Sequence, residues 1–286
     1  MKRKLGLLML IGLLLLSVAP VWAEDGFYVI AGGGAVGTKI TSLPYTINEP
    51  GFYYLGKNLT TTGDGIYVNA SDVTIDLMGF KLQGPGTFST ARGISFGNDV
   101  RNVEIRNGTL RSWHYAIGKD GDNSLHNDLR IINVRILFPF YGISLNNSYN
   151  LLIKGCTISD MVIGIAIAGG SGTICNNSLN YASTSSPIIG ACIWFGGGLW
   201  TVRNNILSNA QDVLIFQGAG IIIGNTINCL AGQTGLSLTS ATDNTILVSQ
   251  NTVTGAGTHR SGGHAYIFYV GNVGLTNTNS FLAPSP

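Results

Sequence analysis

A short segment of the chain holds several of the residue types that chemistry requires. Arg111, Trp113, His114 and Tyr115 occur within five consecutive positions. His114 has an unperturbed pKa near neutrality, which makes it the candidate for proton transfer. Arg111 can bind an acidic group through its planar guanidinium, and the indole of Trp113 can stack on a sugar ring. The segment therefore predicts a site for an acidic sugar, with His114 and Arg111 as catalytic candidates.

Other aromatic residues could extend this site. Aromatic faces stack on sugar rings, so one interpretation is a carbohydrate groove. Its candidate binding residues are Trp113, Tyr115, Phe138, Tyr141, Tyr67 and Trp194. The alternative is that the rings of the loops fill the inside of a turn and stack on one another.

A second group of charged residues recurs at matching positions of successive sequence repeats. Asp76, Glu104 and Arg130 form this series, and Arg106 stands two residues beyond Glu104. An acid–base cluster would make Arg130 a third catalytic candidate. A ladder of cross-strand ion pairs, which contributes little at a surface, is the other interpretation.

The polar segment 119–128 contains the one candidate metal site. Oxygen atoms of Asp120, Asp122, Asn123 and Asp128 could bind Ca²⁺, although their spacing is not that of an EF-hand loop. A solvated polar loop is the alternative. We expect no other metal and no organic cofactor.

Four cysteines leave the redox state open. Cys156, Cys175, Cys192 and Cys229 would allow three disulfide pairings in an exported chain, and otherwise they are small buried residues. No Cys-x-x-Cys or Cys/His spacing indicates zinc.

The N-terminus has the pattern of a secretory signal peptide. Lys2, Arg3 and Lys4 precede an apolar run from Leu5 to Leu16, and a small-residue cleavage site ends at Ala23. The run is shorter than the ~20 residues that span a membrane, so we expect no membrane span once the signal is removed. Cleavage would change the net charge from +2 to −1, and a near-neutral chain is not expected to bind nucleic acid.

The remaining chain consists of degenerate repeats of 20 to 28 residues. Each has a short apolar strand that usually opens with Gly, a second strand, a polar corner and a third strand. Such a unit cannot bury its own apolar side and must stack on its copies. Aligned on the last apolar residue of the third strand, the repeats give the column Leu82, Leu110, Ile136, Ile158, Leu179, Leu207, Ile227 and Val253.

Two further columns describe the corner and the inner side of the second strand. The corner column reads Phe80, Gly108, Val134, Cys156, Asn177, Asn205, Asn225 and Asn251. Its four asparagines are expected to exchange side-chain hydrogen bonds between coils about 4.8 Å apart. The column of the second strand reads Leu77, Ile105, Ile131, Ile153, Ile174, Val202, Ile222 and Val248.

These repeats resemble the right-handed parallel β-helix of the pectin-lyase-like superfamily, in particular an exported bacterial branch of it. The resemblance implies an all-β, single-stranded solenoid of about nine coils over residues 45–254. We expect a signal peptide at 1–23, an N-terminal cap at 24–44, and a closing strand and irregular tail at 255–286.

Enzymes of that superfamily usually bind sugar chains along the first sheet. Strand alternation predicts that its outer face here carries Tyr67, Ser95, Gly118, Ser144, Ala166, Trp194, Leu214 and Ser237. This set has neither the carboxylate pair of a glycoside hydrolase nor the base of a uronate lyase. The first hypothesis is therefore an exported, periplasmic or extracellular protein that binds carbohydrate or acts as a scaffold. A polysaccharide lyase or glycoside hydrolase, and a periplasmic accessory or envelope structural protein, are the alternatives.

Export gives the first testable prediction. The mature protein should leave the cytoplasm and begin near Glu24. N-terminal sequencing of the periplasmic or secreted fraction checks this. A chain in that fraction that still begins with the Lys2–Lys4 segment would contradict it.

Overall fold

A computed structural model describes residues 37–118, 125–181, 190–210, 212–229, 234–240, 245–255, 258–263 and 266–275. The signal peptide, the cap up to residue 36 and the last eleven residues of the tail lie outside these ranges. Within them the chain forms β-strands and no helix.

Most strands are short because the chain turns after each of them. A few are long because the chain bends from one sheet into the next without leaving the extended conformation. In chain order they are β1 Thr38–Ile40, β2 Tyr45–Ile47, β3 Gly51–Leu55, β4 Leu59–Thr60, β5 Ile66–Val68, β6 Val73–Asp76, β7 Lys81–Gln83, β8 Arg92–Phe96, β9 Arg101–Arg111, β10 Tyr115–Gly118, β11 His126–Leu137, β12 Tyr141–Lys154 and β13 Thr157–Ser159. They continue as β14 Ile163–Cys175, β15 Ser178–Asn180, β16 Ala191–Phe195, β17 Leu199–Arg203, β18 Ile206–Ser208, β19 Asp212–Phe216, β20 Ala219–Ile223, β21 Thr226–Asn228, β22 Thr234–Ser240, β23 Thr245–Ser249, β24 Thr252–Thr254, β25 Thr258–Gly263 and β26 Tyr266–Val270.

Each strand pairs in parallel with strands one coil away, which builds a β-solenoid of about nine coils. The strands form three parallel sheets. The first sheet runs from β2 through β5, β8 and β10 to β25. The second sheet runs from β1 and β3 to β26, and the third sheet from β4 and β7 to β24. The predicted fold class is therefore confirmed.

The register of the third strands agrees with the repeat alignment at every step. Leu82 pairs with Leu110, and the pairing continues residue by residue to Ile227 with Val253. These side chains are buried, and they form one continuous apolar core with the inward residues of the other two sheets. Burial of apolar surface between coils is the main favourable contribution to folding.

At the corner before the third strand, asparagine side chains link five consecutive coils. The Nδ2 of each donates to the Oδ1 of the next at 2.9 to 3.0 Å, in the order Asn177, Asn205, Asn225, Asn251 and Asn272. Each receiving Oδ1 also accepts the backbone N–H of the preceding asparagine, at 2.9 to 3.0 Å. The expected asparagine ladder is present, and Asn272 extends it by one rung.

The alignment fails by two residues in the first regular coil. Ile75, and not Leu77, pairs with Ile105. The side chain of Leu77, and not that of Phe80, occupies the corner position beside Gly108. A Cβ added to Gly108 would lie 2.2 Å from the Cβ of Leu77. Met78 and Gly79 adopt positive φ angles of 51° and 80° and form an extra turn between Leu77 and Phe80.

The first sheet contains a shift of one residue. Ile215, and not Leu214, continues the outer column, since Trp194 pairs with Ile215 and Ile215 with Ser237. Leu214 is fully buried and pairs with Ile193.

The coil pattern also continues past Thr254, where the sequence predicted a closing strand and an irregular tail. β25 pairs with β22, and β26, the expected closing strand Tyr266–Val270, pairs with β23. At the other end, β1 lies in the predicted cap and pairs with β3.

The register generates a stability prediction. Leu207 is fully buried and Ile206 is 51% exposed. Leu207→Ala should therefore lower the free energy of unfolding by about 2–5 kcal/mol, and Ile206→Ala by much less. Urea unfolding of both variants checks this, and equal losses would contradict the register.

Candidate functional site

The aromatic residues predicted near Arg111 gather where third strands lead into the following first strands. We call Phe88, Arg111, His114, Tyr115, Phe138, Phe140 and Tyr141 the turn cluster. The segment between β7 and β8 reaches this cluster: Thr87 Oγ1 donates to the carbonyl oxygen of Phe138 at 2.6 Å. The same segment brings in Phe88, which the sequence analysis did not single out.

Two ring stacks form the centre of the turn cluster. Tyr115 and Tyr141 pair in register on adjacent coils, with ring centroids 5.0 Å apart and planes 6° apart. His114 stacks on Phe140 at 4.7 Å and 16°. Phe88 meets the edge of Phe140 at 6.2 Å. The rings thus contact one another, as the alternative interpretation of the sequence expected.

Phe88 and Phe138 are the exposed members of the turn cluster. Phe88 is 79% exposed and Phe138 is 38% exposed. The guanidinium carbon of Arg111 lies 4.6 Å from the centre of the Phe138 ring, which is a cation–π contact. In the described part of the chain, no carboxylate lies within ion-pair distance of Arg111.

One hydrogen bond orients His114. Its Nδ1 lies 3.2 Å from the carbonyl oxygen of Thr87. A carbonyl oxygen only accepts, so this bond requires the proton on Nδ1. In the neutral ring Nε2 then remains as the acceptor.

Trp113 is not part of a ligand site, which corrects the prediction for this residue. Its side chain is fully buried, and its Nε1 donates to the carbonyl oxygen of Leu82 at 3.1 Å. A Cβ on Gly84 or Gly93 would lie 2.5 or 3.2 Å from the indole. The indole therefore occupies the space that these glycines leave inside the turn.

Arg130 belongs to a different cluster, on the outer face of the second strands. Its Nε bonds Glu104 at 3.0 Å, and Arg106 bonds Glu104 at 2.9 Å and Asp76 at 2.8 Å. Asp76 is in register with Arg106, and not with Glu104 as the sequence suggested. The four side chains form an ion-pair ladder. The pKa of Arg106 is raised overall. Burial by itself would lower this pKa, but the hydrogen bonds and the negative charges of Asp76 and Glu104 have the larger combined effect.

Tyr67 and Trp194 lie far apart on the outer face of the first sheet. Five coil steps separate them along the column through Ser95, Gly118, Ser144 and Ala166, which is roughly 24 Å at the usual strand spacing. Tyr67 is 42% exposed and Trp194 is half-buried, whereas Ser95, Ser144 and Ala166 between them are buried. The structure does not bring the two rings together.

The metal and disulfide candidates gain no support. Asp120, Asp122 and Asn123 lie outside the described residues, and Asp128 accepts a hydrogen bond from Asn150. The part that the structure describes contains no group of three or more His, Cys, Asp or Glu side chains suited to a metal ion. All four cysteines are buried free thiols. Burial raises the pKa of Cys156 to about 11 and that of Cys192 to about 12, so both stay protonated and unreactive.

Comparison with known proteins identifies the fold family. Residues 115–281, more than half of the chain, match the family described as the right-handed β-helix region. The chain belongs to the right-handed β-helix family. No curated protein and no solved structure matches it. Along the described ranges, this β-helix protein has no α-helix of a length and hydrophobicity suited to crossing a membrane. Membership of this family does not specify a ligand or an activity, because one fold supports many functions.

Proposed function

We propose that this protein is an exported right-handed β-helix protein that binds a glycan at the turn cluster. The observation that carries this proposal is the contact between Arg111 and the exposed Phe138 ring, beside two ordered ring stacks. Aromatic faces can stack on the C–H faces of sugar rings. The signal-like N-terminal segment supports export from the cytoplasm, and an exported protein would have access to glycans.

Mutual stacking holds the rings of the turn cluster in place before a ligand arrives. Tyr115 and Tyr141 lie on strands that pair in register, and Phe140 is fixed between His114 and Phe88. Ordering a side chain on binding costs about 0.5–1.5 kcal/mol, so rings that are already ordered favour affinity. Phe88 and Phe138 then offer exposed faces to the ligand.

Arg111 supplies the polar part of the proposed site. Its cation–π contact with Phe138 orients the guanidinium, and none of its N–H groups is engaged by a described carboxylate. A guanidinium bonds carboxylate groups in a bidentate manner. An acidic sugar unit is therefore the ligand that this pair would recognise best.

The arrangement of the cluster favours binding over catalysis. No described carboxylate lies within ion-pair distance of His114. Asp76 and Glu104 are engaged in the ion-pair ladder on the second sheet. A hydrolase would need a carboxylate pair at the bound sugar, and no observation on the turn cluster supplies one.

The proposal predicts a specific mutational pattern. Phe138→Ala and Arg111→Ala should each weaken glycan binding by on the order of 1–3 kcal/mol, the range for losing a packed anchor residue. The matched control is Arg135→Ala, because Arg135 is an exposed arginine on β11, the strand beside that of Arg111, and has no cation–π contact with any ring that the structure describes. Electrophoresis through gels that contain a panel of acidic and neutral polysaccharides measures the affinities.

The same experiment separates the alternatives. Retarded migration of the wild type with no products supports binding. Unsaturated products that absorb ultraviolet light, or new reducing ends, would indicate a lyase or hydrolase instead. Equal retardation of the wild type and of both cluster variants would place the site elsewhere.

A further inference from the structure

A second arginine stands beside the turn cluster. Arg92 is the first residue of β8 and pairs in register with Tyr115, which in turn pairs with Tyr141. Side chains of in-register residues on adjacent strands project from the same side of a sheet. The Arg92 side chain therefore leaves the first sheet on the side of the two stacked tyrosine rings, in the coil before Tyr115 and about 4.8 Å from its backbone.

The guanidinium of Arg92 lacks a partner among the described residues. Its side chain is half-buried, and its Nε is buried without a hydrogen-bond partner. The ion pairs in the described ranges involve Arg106 and Arg130 and not Arg92. Asp64 is close, but its Oδ1 accepts the backbone N–H of Arg92 at 2.9 Å, and it forms no ion pair with the guanidinium. A buried donor of a charged group is costly to leave unpaired.

This unpaired nitrogen is an exception in the protein. Almost every other buried side-chain nitrogen or oxygen atom that the structure describes has a hydrogen-bond partner. An apolar side chain of similar length would avoid the cost, so an arginine at this position calls for a functional explanation. Beside a proposed binding site, an acceptor group of the ligand is the partner that accounts for Arg92.

Tyr115 relates Arg92 to the arginine of the turn cluster. Arg92 is its partner in the preceding coil, and Arg111 stands four residues before it in the chain. Four residues span at most about 14 Å, so one extended glycan chain can contact both guanidinium groups. A single acidic sugar satisfies one of these cations, whereas a glycan with repeated acidic groups satisfies both.

We propose that Arg92 is a second anion-binding residue beside the turn cluster, and that the ligand is a glycan with repeated acidic groups. This inference rests on the proposed glycan site, in which Arg111 binds one acidic sugar unit. Arg92 binds a neighbouring acidic group through charge-assisted hydrogen bonds of its guanidinium. It thereby selects polyanionic glycans over neutral ones and over those with a single charge.

Binding of two polyanions by the purified full chain tests the role of Arg92. Alginate carries carboxylates and dextran sulfate carries sulfates, and the wild type should bind at least one of them. Arg92→Met should lower that affinity roughly tenfold or more, because it removes charge-assisted hydrogen bonds. On logarithmic axes the decline of affinity with salt should become less steep by about one unit, since one cation fewer displaces counterions.

Arg101→Met is the matched control. Arg101 is an exposed arginine at the opposite end of β9 from Arg111, so loss of the same charge there should leave the affinity and its salt dependence unchanged. Arg92→Lys keeps the charge but not the planar fork of the guanidinium. It should restore the salt dependence and only part of the affinity.

The urea midpoint of unfolding separates a binding role of Arg92 from a structural one. Methionine removes the buried unpaired donor, so Arg92→Met should not lower the midpoint. An arginine that serves only the fold would give the opposite pattern, namely a lower midpoint with an unchanged salt dependence of binding. If Arg92→Met does not fold, Arg92→Gln replaces it in the binding measurements.

Three results would overturn the inference, and they also separate it from the proposed function. If Arg92→Met binds both polyanions as the wild type does while Phe138→Ala weakens binding, the glycan site stands and Arg92 lies outside it. If the wild type binds neutral dextran but neither polyanion, a glycan site remains without selection for charge. If the wild type binds no glycan of the panel, the proposed function fails as well.

Discussion

The hydrogen bonds between corner asparagines are the interaction on which the regularity of the stack depends. From Asn205 to Asn272, each buried amide accepts from the side chain and the backbone N–H of the asparagine in the preceding coil, and it donates to a carbonyl oxygen of a second strand. For Asn225 the carbonyl is that of Val202, at 2.9 Å. A buried amide without partners is costly, so each asparagine requires the next coil to lie at one distance and in one register. Apolar stacking alone is non-directional and would not impose this condition.

The corner changes its chemistry at Cys156. Coils before it carry Leu77, Gly108 and Val134 at this position and rely on apolar packing. Cys156 connects the two halves, since its backbone N–H donates to Asn177 Oδ1 at 2.8 Å. The charged and aromatic surface features, namely the ion-pair ladder and the turn cluster, belong to the coils before the asparagine ladder.

The inward residues of the third strands could be predicted from the sequence. In these short segments apolar and polar residues alternate, and polar residues follow each segment. Alternation is lost in Val213–Phe216, a continuous apolar run, so the sequence did not determine which of Leu214 and Ile215 points outward. The alignment also assumed a fixed number of residues between the second and third strands, and the extra turn at Met78 and Gly79 changes that number in the first regular coil. In the site, the proximity of Arg111, His114, Phe138 and Tyr141 followed from stacking the repeats. The burial of Trp113 did not, because it depends on three glycines of neighbouring segments, Gly65, Gly84 and Gly93, that leave room for the indole.

The most direct test of this account is the stability cost of removing one internal rung of the ladder. Asn225→Ala would leave the backbone N–H and side-chain amide of Asn205 and the carbonyl of Val202 without their partner. Each buried group left unsatisfied costs about 1–3 kcal/mol, so urea unfolding should show a loss of about 3 kcal/mol or more. Asn180→Ala removes an exposed side chain whose one hydrogen bond within the described residues is that with Asn209, and it should change stability by no more than about 0.5 kcal/mol. Equal and small losses in the two variants would contradict the central role of the ladder.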